Sequence, residues 1–293
     1  MSSDAAVATE TKAALRRLVS GYSLEMNAKD IDALEEAAPL IPAGTQISVT
    51  YIPNEDFAMR VAAASAVRRL GFEPMPHISA RRVQSESDLE AFLDALATIA
   101  AIDRAFVVAG DPQRPEGPYV DALAAIRTGL LGKYGVRHVG IAGYPEGHPD
   151  IAEAKLWQAL HDKKAVLADL GHSSSILTQF GFDAQPILAW LERLRREGLD
   201  APVCVGVAGP TSVKALIRFA ARCGVATSAK VMAKYGVSIT KLLGTAGPDP
   251  IVEALGQRLD AATHGQVGLH LYPFGGFRKT AAWAPAFREK HGL

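Results

Sequence analysis

Eight short apolar runs alternate with longer helical stretches along the 293 residues, and glycine or proline marks most of the joints between them. The runs are apolar on both faces, as expected of parallel strands covered by helices outside and packed by side chains inside. These observations predict an α/β fold of the (β/α)8, or TIM-barrel, class in a single domain. An open doubly wound sheet is the rival. It would normally carry a GxGxxG turn after its first strand, where this chain reads NAKDID, and no P-loop occurs anywhere.

Taken in order, a helical extension occupies residues 1–20, with its helix over Glu10 to Ser20, and the barrel follows over residues 21–293. The strand candidates are YSLEM, QISVTYI, EPMPHIS, RAFVVAG, VRHVGIAGY, SSILTQFGF, VCVGVAG and VGLHLYPF, beginning at Tyr22, Gln46, Glu73, Arg104, Val136, Ser174, Val203 and Val267. Between them, Glu55 to Leu70 places Phe57, Val61, Ala64 and Val67 on one helical face. In Ser87 to Ala101, Ser87 and Glu90 have the spacing of a capping box. Thr227 to Gly247 is extra material between the seventh helix and the eighth strand.

Composition narrows the partners. Lys+Arg and Asp+Glu both number 31, so no broad basic field invites nucleic acid, and small molecules or further copies of the chain in a homo-oligomer are expected instead. Cys204 and Cys223 lack CxxC spacing and read as reduced core thiols, which points to the cytoplasm. MSSDAAVATETK lacks the layout of a signal peptide, and no apolar run reaches the roughly 18 residues of a membrane span. No His, Cys or carboxylate cluster has metal-ligand spacing, and no GxSxG elbow offers a serine nucleophile.

In a barrel, residues at the C-terminal strand ends face one pocket. Here they are Glu25, Thr50 and Asn54, His77 with Ser79 and Arg81, Asp111, Tyr144 with Glu146 and His148, Gln179 with Asp183, and His270 with Tyr272. Each has a structural reading as well. Glu25 suits a paired core carboxylate, His148 a loop cap, Asp111 an Asx turn before Pro112, and Gln179 a backbone partner inside the barrel. The set at one mouth points to function more strongly than any member.

The order YSLEM, PHIS, AGDP, GYPEGHP and LTQFGFD resembles the methylenetetrahydrofolate reductase family of (β/α)8 flavoenzymes, from about Tyr22 to the HLYPF strand. GYPEGHP and TQF are its most specific pieces. The resemblance implies Glu25 as the general acid that protonates the departing nitrogen of methylenetetrahydrofolate and opens its ring to an iminium. Burial in an apolar mouth is the means by which such an acid keeps its proton near neutral pH. It implies Asp111 as the fixed charge that favours the iminium, and Gln179 as the residue that orients the pterin. Thr50, His77, Gly110, Tyr119, Tyr144 and His148 fall on flavin-contacting positions, with Lys164 or its neighbour Lys163 as the remaining cation. The implied cofactor is FAD, with NADH or NADPH as co-substrate.

The chain departs from the family pattern in four places. SLEM runs into NAKD where the family has an aromatic and two prolines, and Ala109 stands where the family has an arginine before the glycine and aspartate. Trp157 and Leu160 occupy positions of polar contacts to the adenine side, and HDKKAVLADLGHS replaces a lysine-rich signature. A flavin-free variant, with nicotinamide delivering hydride directly, therefore stays open. So do a barrel aldolase or lyase using the glycine loops at Gly275 to Phe277 and Val207 to Pro210 as anion sites, and a non-catalytic folate-binding subunit.

Overall fold

A computed structural model describes residues 3–52, 55–222 and 245–293 of the chain. Asn54, Cys223 and residues 227–244 of the extra stretch lie outside the described residues. The barrel strands are β1 (Ser23–Met26), β2 (Gln46–Val49), β3 (Glu73–Ser79), β4 (Arg104–Val108), β5 (His138–Gly143), β6 (Ser173–Thr178) and β7 (Val203–Ala208). Two short strands, β8 (Thr211–Ser212) and β9 (Thr245–Ala246), pair antiparallel outside the barrel, and β10 (Val267–Tyr272) is the last barrel strand. The strands form a closed barrel in the order β1–β10–β7–β6–β5–β4–β3–β2, a TIM barrel. Parallel register sets His77 opposite Phe106 and Ser23 opposite His270.

Every predicted strand is present, several of them shorter than the apolar run that marks them. β2 ends at Val49, where Thr50 N–H turns to donate to the Met26 carbonyl at 2.8 Å. β6 ends at Thr178, because the side-chain oxygen of Gln179 accepts the next N–H, that of Phe180, at 3.0 Å. Helix α1 (Ser3–Ser20) begins earlier than expected, and it buries Leu15, Leu18 and Val19. α2 (Ile31–Ala37) follows β1, and α3 (Phe57–Arg69) is capped by Asp56, whose carboxylate accepts from Met59 N–H at 2.8 Å.

In α4 (Glu86–Ala100) the cap is Ser85, two residues before the predicted Ser87. Ser85 Oγ accepts from Asp88 N–H at 3.1 Å, which leaves Ser87 inside the first turn. The next helices are α5 (Ala122–Arg127), α6 (Leu130–Lys133), α7 (Glu153–Asp169), α8 (Ala184–Arg196) and α9 (Val213–Arg222). Then come α10 (Asp249–Arg258), α11 (Ala261–His264) and α12 (Phe277–His291).

Contacts group the chain into two compact units. One comprises Met1–Leu24, Tyr144–Leu156 and Thr178–Leu293, and its core includes an apolar cluster of Phe180, Phe182, Val213, Leu216, Ala220 and Ala246. The other comprises Glu25–Gly143 and Trp157–Leu177, where α3 contributes Val61, Ala64 and Val67 and α4 contributes Leu89, Phe92, Leu93 and Leu96. The predicted amphipathic faces are thus the buried ones, except that Phe57 at the start of α3 is exposed.

Candidate functional site

Glu25 and His77 meet in the unit built around Glu25–Gly143. Glu25 projects from β1 and His77 from β3, and Glu25 Oε2 lies 3.8 Å from His77 Nε2. Both side chains are largely withdrawn from solvent, at 15% and 8% exposure. The imidazole is tilted against Phe106 of β4 at 4.6 Å between ring centres, and the His77 carbonyl accepts a hydrogen bond from Arg60 of α3. Burial pushes the Arg60 guanidinium down to about 10, with Tyr51 and Glu55 opposing the shift. The rings of Tyr51 and Phe92 lie under that guanidinium, at 5.0 and 4.4 Å. Thr50 sits half-buried just past the end of β2.

Asp111 lies three residues beyond β4, and its side chain is 72% exposed. The turn that carries it requires Gly110, with φ +89° and a Cβ position only 3.2 Å from that of Ser79. Arg82, in the short helical turn after β3, reaches Asp111 at 3.2 Å and Glu116 at 3.3 Å, and also lies over the Tyr51 ring. A guanidinium therefore stands beside the aspartate despite Ala109, contributed by a different strand end. Arg81, the neighbour expected at the mouth, instead donates to the carbonyls of Val120 and Pro112.

Tyr119 is buried, and burial together with Glu86 and Glu90 pushes its hydroxyl pKa up. That hydroxyl has no hydrogen-bond partner among the described residues. Lys164 donates to Ser174 Oγ at 3.2 Å. Ser174 is the second residue of β6, so Lys164 is engaged at the end of the strand opposite Thr178. Its neighbour Lys163 is buried on α7 with Trp157, Leu160 and Leu167, and burial holds its ammonium down at about 8, against an opposing pull from Asp121.

In the other unit YPEGHPD, from Tyr144 to Asp150, forms a tight loop after β5. Gly147 N–H closes a turn on the Tyr144 carbonyl, His148 Nδ1 accepts from Asp150 N–H at 3.1 Å, and the rings of Tyr144 and His148 meet edge to face at 5.3 Å. Tyr144 is half-buried, and burial pushes its hydroxyl pKa up. Glu146 accepts from Phe182 N–H at 3.4 Å, tying this loop to the TQFGF segment. Thr178, the last residue of β6, is held from two sides. Its hydroxyl accepts from Gly206 N–H at 2.9 Å, and its carbonyl accepts from the Tyr272 hydroxyl at 3.1 Å. Gly206 is the residue type this packing needs, because a Cβ there would overlap the Thr178 carbonyl and the Tyr272 ring.

One layer back, His270 is fully buried and shares a 2.8 Å hydrogen bond with Ser23. Burial pushes the free thiol of Cys204 up to about 11, with a Ser23 hydrogen bond offsetting part of the shift. Such a thiol is unreactive at neutral pH.

The structure thus brings Glu25 to His77, Asp111 to Arg82, and Tyr144 to His148. Arg82 and the clamp of Tyr272 and Gly206 on Thr178 escape a reading of the sequence, because each depends on a contact between strand ends. At the positions matching the family's adenine-side contacts, Trp157 and Leu160 are buried on α7 and Lys164 donates to Ser174. The glycine loops considered as anion sites pack on each other, with Gly275 against the Pro210 carbonyl. Among the described residues no group of three or more His, Cys, Asp or Glu is placed to hold a metal ion, and no helix is long and apolar enough to cross a membrane.

Known proteins match this framework. A 5,10-methylenetetrahydrofolate reductase from Pectobacterium carotovorum is 30% identical over 179 residues, covering 59% of this chain and 57% of its own length. Methylenetetrahydrofolate reductase (NADH) 1 from Arabidopsis thaliana is 25% identical over 223 residues, covering 68% of this chain and 35% of its own. The chain thus spans about half or less of the length of these curated relatives. A solved structure from Clostridium thermocellum, described as binding two copies of 5-methyl-5,6,7,8-tetrahydrofolic acid, shares the fold with a TM-score of 0.61 at 12% identity, covering 94% of this chain and 98% of that one. Residues 25–273, from the β1 glutamate to just past β10, match the family described as Methylenetetrahydrofolate reductase, and the chain belongs to that family.

Proposed function

We propose that the chain interconverts 5,10-methylenetetrahydrofolate and 5-methyltetrahydrofolate, with NADH or NADPH as hydride donor or acceptor. The family match over residues 25–273 carries this reading, since it takes in Glu25, Asp111 and Gln179 together. Glu25 gives its proton to the departing nitrogen, the carbon–nitrogen bond breaks with its electron pair retained by that nitrogen, and the remaining nitrogen and methylene carbon form an iminium. The Asp111 carboxylate favours that cation, with Arg82 fixing its position and moderating its charge. Gln179 hydrogen-bonds the pterin. The enzyme works in the cytoplasm on small molecules, alone or as a homo-oligomer.

FAD, were it held by this chain, would supply a two-electron carrier between nicotinamide and folate. By the family resemblance, Thr50, His77, Gly110, Tyr119, Tyr144, His148 and Lys164 are the residues that would hold it. The burial of Trp157 and Leu160 favours a second reading, in which reduced nicotinamide passes hydride directly to the iminium.

The test is NAD(P)H consumption with methylenetetrahydrofolate by protein stripped of flavin, with and without added FAD. Turnover only with FAD supports the relay, and turnover without it supports direct transfer. No turnover in either condition overturns the reductase reading in favour of a lyase or a folate-binding subunit.

A further inference from the structure

We propose that Arg81 is a positioning residue for Asp111, clamping the loop after β4 so that the carboxylate keeps its place; the proposal rests on the role given to Asp111 above. Asp111 rides on residues 109–121, between β4 and α5, and its side chain is 72% exposed. A connection that long and that exposed moves unless something ties it, and a carboxylate that moves stabilises a developing cation poorly.

Arg81 ties the loop on both sides of the aspartate. Its backbone N–H donates to the Ala109 carbonyl at 2.9 Å, two residues before Asp111, and its Nη1 donates to the Pro112 carbonyl at 3.2 Å, one residue after. Nε of the same guanidinium donates to the Val120 carbonyl at 2.8 Å, near the far end of the loop. Between these points the Arg81 carbonyl accepts from Glu116 N–H at 2.7 Å. The backbone packs closely at two further places. Gly110 sets its Cβ position 3.2 Å from that of Ser79, and a Cβ on Gly117 would fall 2.2 Å from the Val83 carbonyl oxygen. All of these residues belong to the unit that contains Glu25–Gly143.

Arg81 and Arg82 have separate tasks. Arg82 meets the carboxylates of Asp111 and Glu116, whereas the Arg81 side chain donates to backbone carbonyls. Reaching two carbonyls at once suits a planar, permanently charged fork, and a lysine would bring a single donor centre on a flexible stem. Removing the fork leaves both backbone hydrogen bonds of residue 81 in place, so the fold survives while the Asp111 loop loosens.

The test is a double-mutant cycle. The parent, Arg81→Ala, Asp111→Asn and the double variant are assayed for NAD(P)H oxidation with methylenetetrahydrofolate, and circular dichroism establishes that each is folded. Arg81→Ala is expected to lose about tenfold in kcat, with KM for the folate changing less. In the Asp111→Asn background the same substitution is expected to lower kcat by less than about twofold, because an effect carried by Asp111 cannot be lost twice. Equal losses in the two backgrounds would mark Arg81 as general support for the structure and overturn the proposal, as would a parent-like Arg81→Ala. Where Arg81→Ala does not fold, Arg81→Lys takes its place in the cycle with the same expectations, and failure of both to fold also overturns the proposal. Asp111→Asn working at the parent's rate would remove the role of Asp111 and this proposal with it, leaving the folate reaction standing. A parent that shows no turnover overturns the folate reading itself.

Discussion

Asp111 shows how one residue's environment differs from what its neighbours in sequence suggest. Ala109 removes a cation two residues away in sequence, yet Arg82 restores one 3.2 Å away in space. The aspartate is largely exposed, so the pair contributes little to stability, within about 1 kcal/mol. On the proposed mechanism its use is to fix a carboxylate. Arg82→Gln is therefore expected to lower kcat about tenfold while leaving the melting temperature nearly unchanged, and steady-state kinetics beside thermal unfolding check both halves. Glu25→Gln retains shape and removes the transferable proton. Its kcat in methylenetetrahydrofolate reduction is expected to fall by about 10²-fold or more, and a parent-like rate would refute the acid assignment.

At the scale of elements, helix periodicity and turn residues placed most of the secondary structure, because burial of one face leaves a repeating mark in the chain. Local competition hid the finer points. Ser85 and Ser87 both suit a cap, and the choice of Ser85 depends on where the first turn closes. α7 carries a cost that its pattern does not advertise, since Lys163 stands on its buried stripe with its ammonium pKa held at about 8 by burial.

Because that value lies below the unfolded one, the unfolded chain binds more protons between the two. Stability therefore rises as pH climbs from about 8 toward 10.5, and at pH 7 the burial costs on the order of 3 kcal/mol. Lys163→Met keeps the stem and removes the charge. It is expected to raise the urea midpoint at pH 7, and to do so less at pH 10. Gly206→Ala acts oppositely, forcing β7 away from Thr178, and is expected to destabilise by about 1–3 kcal/mol in urea unfolding.

For the whole molecule, acid sensitivity follows from carboxylates on the two compact units. Burial pushes Asp103 up, but hydrogen bonds and charge from Arg104 and Arg137 outweigh it. At Asp249 the same holds for Lys290 and Trp283. Both end below the usual range, so their stabilisation is present above about pH 4 and is lost as pH falls through the lower folded values. The expected observation is a urea midpoint that drops between pH 5 and pH 3, and drops less in Asp103→Asn with Asp249→Asn.

By itself the sequence determined the strand and helix alternation, the (β/α)8 class, the family and the residue types available for acid and charge chemistry. All of these rest on periodicity, turn chemistry and local motifs, which are written along the chain. Only the tertiary structure decided that Glu25 faces His77, that Arg82 reaches Asp111, that Lys164 turns to the far end of β6, and that Tyr272 and Gly206 clamp Thr178. Apart from Lys164 and Ser174, which are ten residues apart, these contacts join residues tens of positions apart, and their partners are fixed by barrel register and side-chain reach, which leave no periodic mark in the chain.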